Sequence, residues 1–331
     1  MNAVADRQAA ITGGSGASHG GSGQSVALAY SGSTVSAEAR RATDAFASLD
    51  SNSAYGTDSR EGWNLWAQAF GRWGTVEDTG GNAGSTSRSG GFVLGADKML
   101  APDLIAGAAF GFARTTTHSG GTTGISDTYA GALYASWTPG RAVFDLRAAI
   151  GPSDMRTRRE IMLMPGSTIT GNTQGLGGSV GIEAGYKFDL SLGITAKPFA
   201  GLTWQGLRRD GYSESLMPFG LQYPAQSYDK LTTTLGATLT SQQRIGIATL
   251  MPELTLAWAH DLRDTTMTSE AALLDSAFTI NGARPSRDAA IVGFKLSGWT
   301  QDNFRLFAGY HGELRANATS HQISGGMRYT W

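Results

Sequence analysis

Residues 320–331 read SHQISGGMRYTW, and the way this stretch divides into two faces decides the fold. Read by twos from its end, Ile323, Met327, Tyr329 and Trp331 fall on one side of an extended strand, while Gln322, Ser324, Arg328 and Thr330 fall on the other. Such a strand needs a partner along its edge, because an unpaired edge invites aggregation. The stretch therefore predicts a sheet whose last strand is covered.

The same period of two runs upstream as far as Trp63. Trp63, Leu65, Ala67, Ala69 and Trp73 alternate with Asn64, Gln68 and Arg72. Phe144, Leu146, Ala148 and Ile150 oppose Asp145 and Arg147. Val180, Ile182, Ala184, Tyr186 and Phe188 oppose Ser179, Glu183 and Lys187. Leu235 and Leu239 oppose Thr234, Thr238 and Thr240; Val292, Phe294 and Leu296 oppose Lys295 and Ser297; Leu306, Ala308 and Tyr310 oppose Arg305, His311 and Glu313. Sustained alternation means strands, and twelve segments can be counted. The apolar sides are bulky and nearly continuous, the polar sides mix charge with glycine, and aromatics such as Trp63, Trp73, Trp137, Trp258, Tyr329 and Trp331 sit near strand ends. That is the pattern of a transmembrane barrel with lipid outside and water inside.

Composition agrees. The chain has 331 residues, 46 Gly, 9 Pro, no Cys, 16% charged residues and a formal net charge of -1. Near-neutral charge without a basic patch argues against nucleic acid as a partner. No run of about 18 apolar residues is present, so no transmembrane helix is expected. Lipid requires every backbone group to be paired, so the strands must close. The connections alternate: brief ones (APD, TPG, DLSLG, QRIGI, TQDN) mark one rim, and long ones over about 75–88, 117–126, 153–170, 210–228 and 264–287 mark the other. The fold expected is all-β: a twelve-stranded antiparallel transmembrane β-barrel over residues 63–331.

Two segments precede it. Residues 1–33 are small and polar, as in a flexible linker or the remnant of a preceding domain. Their GGSGASHGGSG run neither follows a strand nor opens a helix, so it is no phosphate loop. Residues 34–62 carry a helix over about 37–49, with Ser36 as N-cap and Glu38, Arg40, Arg41 and Asp44 exposed on an alanine-rich rod. Residues 1–14 lack a charged segment followed by an apolar one, so no secretory signal is read there and a piece of a longer chain is expected.

Three stretches are familiar in their order. TLGATLTSQQRIGIATLMPELTLAWAHDL (234–262), RDAAIVGFKLSGWTQDNFRLFAGYHGEL (287–314) and the closing SHQISGGMRYTW resemble the C-terminal translocator domain of autotransporters, the type V secretion proteins. EGWNLWAQAFGRWG (61–74) and SGGFVLGADKML (89–100) resemble its first two strands. The resemblance implies a barrel in the bacterial outer membrane that brings an N-terminal passenger, joined in cis, to the cell surface. It further implies a helix in the lumen, and a final strand, with Met327, Tyr329 and Trp331 on one face, read by the barrel assembly machinery after periplasmic chaperones have escorted the chain. Passengers of this family are typically long solenoids, for which residues 1–33 leave no room.

Catalysis has weak support in the residues. His260 and Asp261 are adjacent and so point to opposite faces of a strand. His311 and Glu313 share the lumen side with Arg305 and Arg315 and read as a compensating polar lining, as do Asp97, Asp145, Arg147, Glu183, Lys187 and Lys295. His19, His118 and His321 belong to no motif, and no HxH or HxxxH pair suggests a metal. Some relatives cut their own linker at an asparagine; Asn52 is the nearest equivalent, but it has no neighbouring Asn and stands at the helix end. The expected protein is a monomeric translocator without cofactor or catalytic residues. A lipase-like outer-membrane hydrolase and a diffusion porin are the alternatives. No Ser and His pair can be nominated on the lipid-facing wall, and a rod ahead of the first strand would plug a porin.

Overall fold

The computed structural model describes residues 63–331, apart from 80–81, 161–166, 191–192, 216–219, 264–267, 274–275, 282 and 302. The helix expected over residues 37–49, with Glu38, Arg40, Arg41 and Asp44, lies outside the described residues, as do His19 and Asn52.

Twelve strands form the wall: β1 (Trp63–Val76), β2 (Ser85–Ala101), β3 (Leu104–Ser119), β4 (Thr122–Trp137), β5 (Ala142–Glu160), β6 (Thr168–Tyr186), β7 (Ile194–Arg209), β8 (Gln226–Ser241), β9 (Ala248–Asp261), β10 (Asp288–Gln301), β11 (Phe304–Arg315) and β12 (Ala318–Thr330). Each pairs antiparallel with its sequence neighbours. β12 pairs with β1 from Asn64↔Thr330 to Val76↔Ala318, and the Trp331 amide donates to the Trp63 carbonyl at 3.2 Å. Closure thus covers the edge that the last twelve residues left open. No backbone edge faces lipid along this seam.

The facing of the strands follows the alternation. Leu306 is 54% and Leu235 49% exposed on the outer wall, whereas Thr234 and Asp97 are fully buried. Trp63 and Trp73 both point outward, ten residues apart on β1. At about 3.3 Å per residue and a tilt of about 45°, they stand about 23 Å apart along the membrane normal, close to the roughly 25 Å apolar band of such barrels. Trp137, Trp258, Tyr329 and Trp331 are likewise outward-facing.

Two expectations need correction. The long link expected over 117–126 is a two-residue turn at Gly120 and Gly121, whose φ values of 51° and 78° suit a hairpin. β3 and β4 run straight through the rest of it. Similarly, β5 and β6 each span 19 residues, far longer than the bilayer needs. Beyond the apolar band both faces of a strand meet polar surroundings, so hydrophobic alternation fades while backbone pairing continues.

The inner wall also departs from a purely polar lining. Trp66, Phe70, Val93, Tyr134, Met155 and Leu207 point inward and belong to one buried apolar cluster. Several inward rings lie over a glycine directly opposite on the next strand: Trp66 over Gly95, Phe70 over Gly91, Tyr134 over Gly107, Phe199 over Gly236 and Phe307 over Gly326. A Cβ at Gly95 would stand 2.3 Å from the Trp66 ring, and one at Gly107 2.5 Å from Tyr134. Glycine accepts the ring where any side chain would collide. Part of the high glycine content is thereby explained.

Candidate functional site: the lumen, its seam and its cap

Asp97 on β2 is the hub of the seam. Its Oδ1 accepts from Asn64 Nδ2 on β1 at 2.7 Å. Its Oδ2 accepts from Tyr134 Oη on β4 and from Arg328 Nη2 on β12, each at 3.0 Å. Trp66 Nε1 donates to Tyr134 Oη at 2.7 Å, and Thr330 Oγ1 donates to Asn64 Oδ1 at 2.6 Å. Higher in the barrel, Arg72 Nε reaches Ser320 Oγ across the same seam at 3.0 Å. A buried carboxylate is tolerated only when paired and hydrogen-bonded, and here both oxygens are served from three other strands. The network fastens the first strands to the last.

Two further ion-pair groups line the lumen. On β8, β9 and β11, Asp261 Oδ1 takes Lys230 Nζ at 3.2 Å and Thr232 Oγ1 at 2.7 Å, and its Oδ2 takes Arg315 at 2.9 Å; Arg315 Nε also meets Glu313 at 2.6 Å. On β6 and β7, Lys197 Nζ donates to Glu183 Oε1 at 2.9 Å. Arg147 extends over Gly181 and reaches Thr203 Oγ1 at 3.3 Å. The Arg305 guanidinium stacks 4.0 Å from the centroid of Trp299.

The loop-side mouth carries a separate four-stranded sheet made from two long connections, in the order 276–281, 268–273, 222–223, 212–213. Tyr212 and Tyr223 stack with centroids 4.8 Å apart, and the fully buried Arg209 lies 4.9 Å from the Tyr212 ring. Arg159 on β5 binds Glu214 at 2.5 Å, and Glu214 accepts the Leu221 amide. Leu221, Tyr223 and Ala271 of this sheet share the apolar cluster of inward-facing Met155 and Leu207. The two loops are folded inward on the mouth and tied to β5 and β7.

Asp97, Asp145, Arg147, Glu183, Lys187 and Glu313 are buried inside the barrel, and Lys295, Arg305 and His311 are half-buried there. They do not converge on one point: Asp97 belongs to the seam, Glu183 and Arg147 to the β5–β7 wall, and Glu313 to the β8–β11 group. The arrangement is a set of braces around the inner wall. His260 and Asp261 face apart, His260 bonding outer Asp288 at 2.8 Å while Asp261 is buried inside. Among the described residues no three His, Asp or Glu side chains gather as a metal site would need. Asn64, Trp66, Tyr134, Lys197, Lys230 and Arg209 were missed by sequence reasoning. Only their inward register could have found them.

A closed twelve-stranded barrel with an apolar outer belt, aromatic girdles and a braced polar lumen defines an outer-membrane β-barrel. The chain belongs to the autotransporter beta-domain family, whose model matches residues 65–311. It is the outer-membrane translocator unit of an autotransporter, and the family implies a passenger in cis. Similar solved structures include the translocator domain of autotransporter NalP from Neisseria meningitidis (TM-score 0.69, 17% identity, 88% of this chain and 94% of that one). The beta domain of the Bordetella autotransporter BrkA is also similar (TM-score 0.63, 16% identity, 82% and 100%). An extracellular serine protease of Serratia marcescens is 26% identical over 273 residues, 80% of this chain. The chain spans 26% of that relative's length.

Proposed function

We propose that the barrel brings a passenger on its N-terminal side to the cell surface by way of the lumen. In this reading residues 1–33 are linker or passenger remnant, 34–62 carry a helix within the lumen, and 63–331 are the membrane unit. The observation that carries it is the position of Trp63. It opens β1 on the rim of short turns, beside Trp331, and in such barrels that rim faces the periplasm. Anything ahead of Trp63 reaches the outer rim through the lumen. Arg40 and Arg41 complement the inward carboxylates. Chaperones hold the unfolded chain in the periplasm, and the assembly machinery reads the face of Met327, Tyr329 and Trp331. The unit works as a monomer and needs no cofactor or catalytic residue.

The test uses the full chain behind a secretion signal, with an epitope at residue 1, produced in a Gram-negative host. Protease added to intact cells should remove the epitope while the folded barrel survives. A barrel in the outer membrane whose epitope stays protected until cells are opened overturns the reading.

A further inference from the structure

The outer wall between β3 and β8 is not evenly filled. A groove of about 860 Å³ runs down it from the loop rim, with Arg208, Ser227 and Asp229 at its upper end and Leu133 near the middle of the wall. Its floor exists because side chains are missing. A Cβ at Gly131 would meet nothing within 4 Å, and at Gly206 it would strike the Trp204 ring at 2.7 Å, so that indole lies along the wall. Leu176 and Trp204, both outward and exposed, flank the cleft.

The upper end carries a cation. Arg208 points outward and is exposed, as are Arg88 and Arg158 farther along the same rim. The side chains of these three make no hydrogen bond or ion pair among the described residues. Of the outward acids nearby, Asp127 is held by Arg114 at 2.6 Å, Asp154 by Gln174 at 3.0 Å and Asp229 by Arg263, while Asp210 and Glu160 stand exposed at the rim. One guanidinium, that of Arg208, thus stands at the top of an apolar cleft without a side-chain partner among the described residues, toward the rim where lipid headgroups begin. Guanidinium is suited to phosphate through paired N–H donors, and basic side chains at a bilayer surface attract anionic lipid.

We propose that this groove is a docking site for a phosphorylated lipid of the loop-side leaflet, with an acyl chain against Gly131, Leu176 and Trp204 and the phosphate on Arg208. The site rests on the barrel standing in the bilayer and is independent of what the barrel exports, so the epitope test above neither supports nor sinks it.

The experiment is native mass spectrometry of the full chain, refolded in neutral detergent and titrated with dioleoyl phosphatidic acid or dioleoyl phosphatidylcholine. One phosphatidic acid should be held about tenfold more tightly than phosphatidylcholine, a charge-assisted contact's worth of preference. Arg208→Gln should bring the two lipids within about twofold of one another, and Gly131→Leu, which fills the cleft, should weaken both about tenfold. Heat-modifiable migration on gels checks folding; should Gly131→Leu fail to fold, Arg208→Gln decides alone. Equal binding of the two lipids by the unaltered chain, or unchanged selectivity in Arg208→Gln, overturns the proposal. So does displacement of phosphatidic acid by inorganic phosphate with a folded Gly131→Leu unaffected, which marks a free-anion site.

Discussion

Replacing Arg328 by Met removes the cation of the seam while keeping the length of the side chain. Arg328 and Asp97 are 3% and 0% exposed and 3.0 Å apart. At that separation, with an effective dielectric constant of about 20, the raw attraction is about 5–6 kcal/mol. Removing one member of such a pair typically costs about 3–5 kcal/mol, because a buried charge is left behind. Asn64 and Tyr134 would still donate to Asp97, which puts Arg328→Met at the lower end, about 3 kcal/mol. In the double variant Asp97→Asn/Arg328→Met the stranded charge is gone, and about 2 kcal/mol should return. Removing Arg141 from its pair with Asp189, both more than half exposed, should cost no more than about 1 kcal/mol. Equilibrium unfolding in urea, with the barrel in detergent micelles and read by tryptophan fluorescence and heat-modifiable migration, measures all three. If Arg328→Met lies within about 1 kcal/mol of the unaltered chain, or the double variant loses as much as the single one, the seam does not depend on this pair.

Other expectations follow from the same geometry. Gly95→Ala places a methyl group into the Trp66 ring and should destabilise the barrel by about 1–3 kcal/mol as an overpacked site; a neutral effect in the same titration would show that the ring can move aside. Leu254 lies on the outer wall four residues below Trp258, about 13 Å along the strand, so Leu254→Arg should cost about 2–4 kcal/mol while Thr86→Arg near the loop rim costs about 0–1. Reversal of that ranking would turn the wall inside out. Trp331 is 56% exposed and stacks on Tyr329, so its deletion should remove only about 1–3 kcal/mol from a barrel refolded in detergent. In cells the same deletion should sharply lower the amount in outer-membrane fractions; equal amounts would leave Trp331 as an interfacial anchor alone. Deleting residues 1–58 should raise single-channel conductance several-fold in planar bilayers, and an unchanged conductance would refute a lumen helix.

What the sequence by itself determined is the outer wall. Lipid is the same solvent all round the barrel, so each of Leu306, Leu235 and Trp331 declares its facing through its own alternation, without knowledge of any partner. The obligation to pair every backbone group in that solvent then implies closure and a seam between the ends of the barrel. The inner wall obeys a different rule. Asp97 and Arg328 are 231 positions apart, and whether they meet depends on the stagger of every strand between them. Trp66 lies over Gly95 because the β1–β2 register puts the two opposite each other, and a slip of one residue would turn them to opposite faces. The full length of β5 and β6, the turn at Gly120 and Gly121, and the cap sheet stand beyond the bilayer, where no apolar pattern records the strands. Only the tertiary structure decided which inward charges brace one another and which loops fold over the mouth, because those contacts join chain segments that local alternation cannot relate.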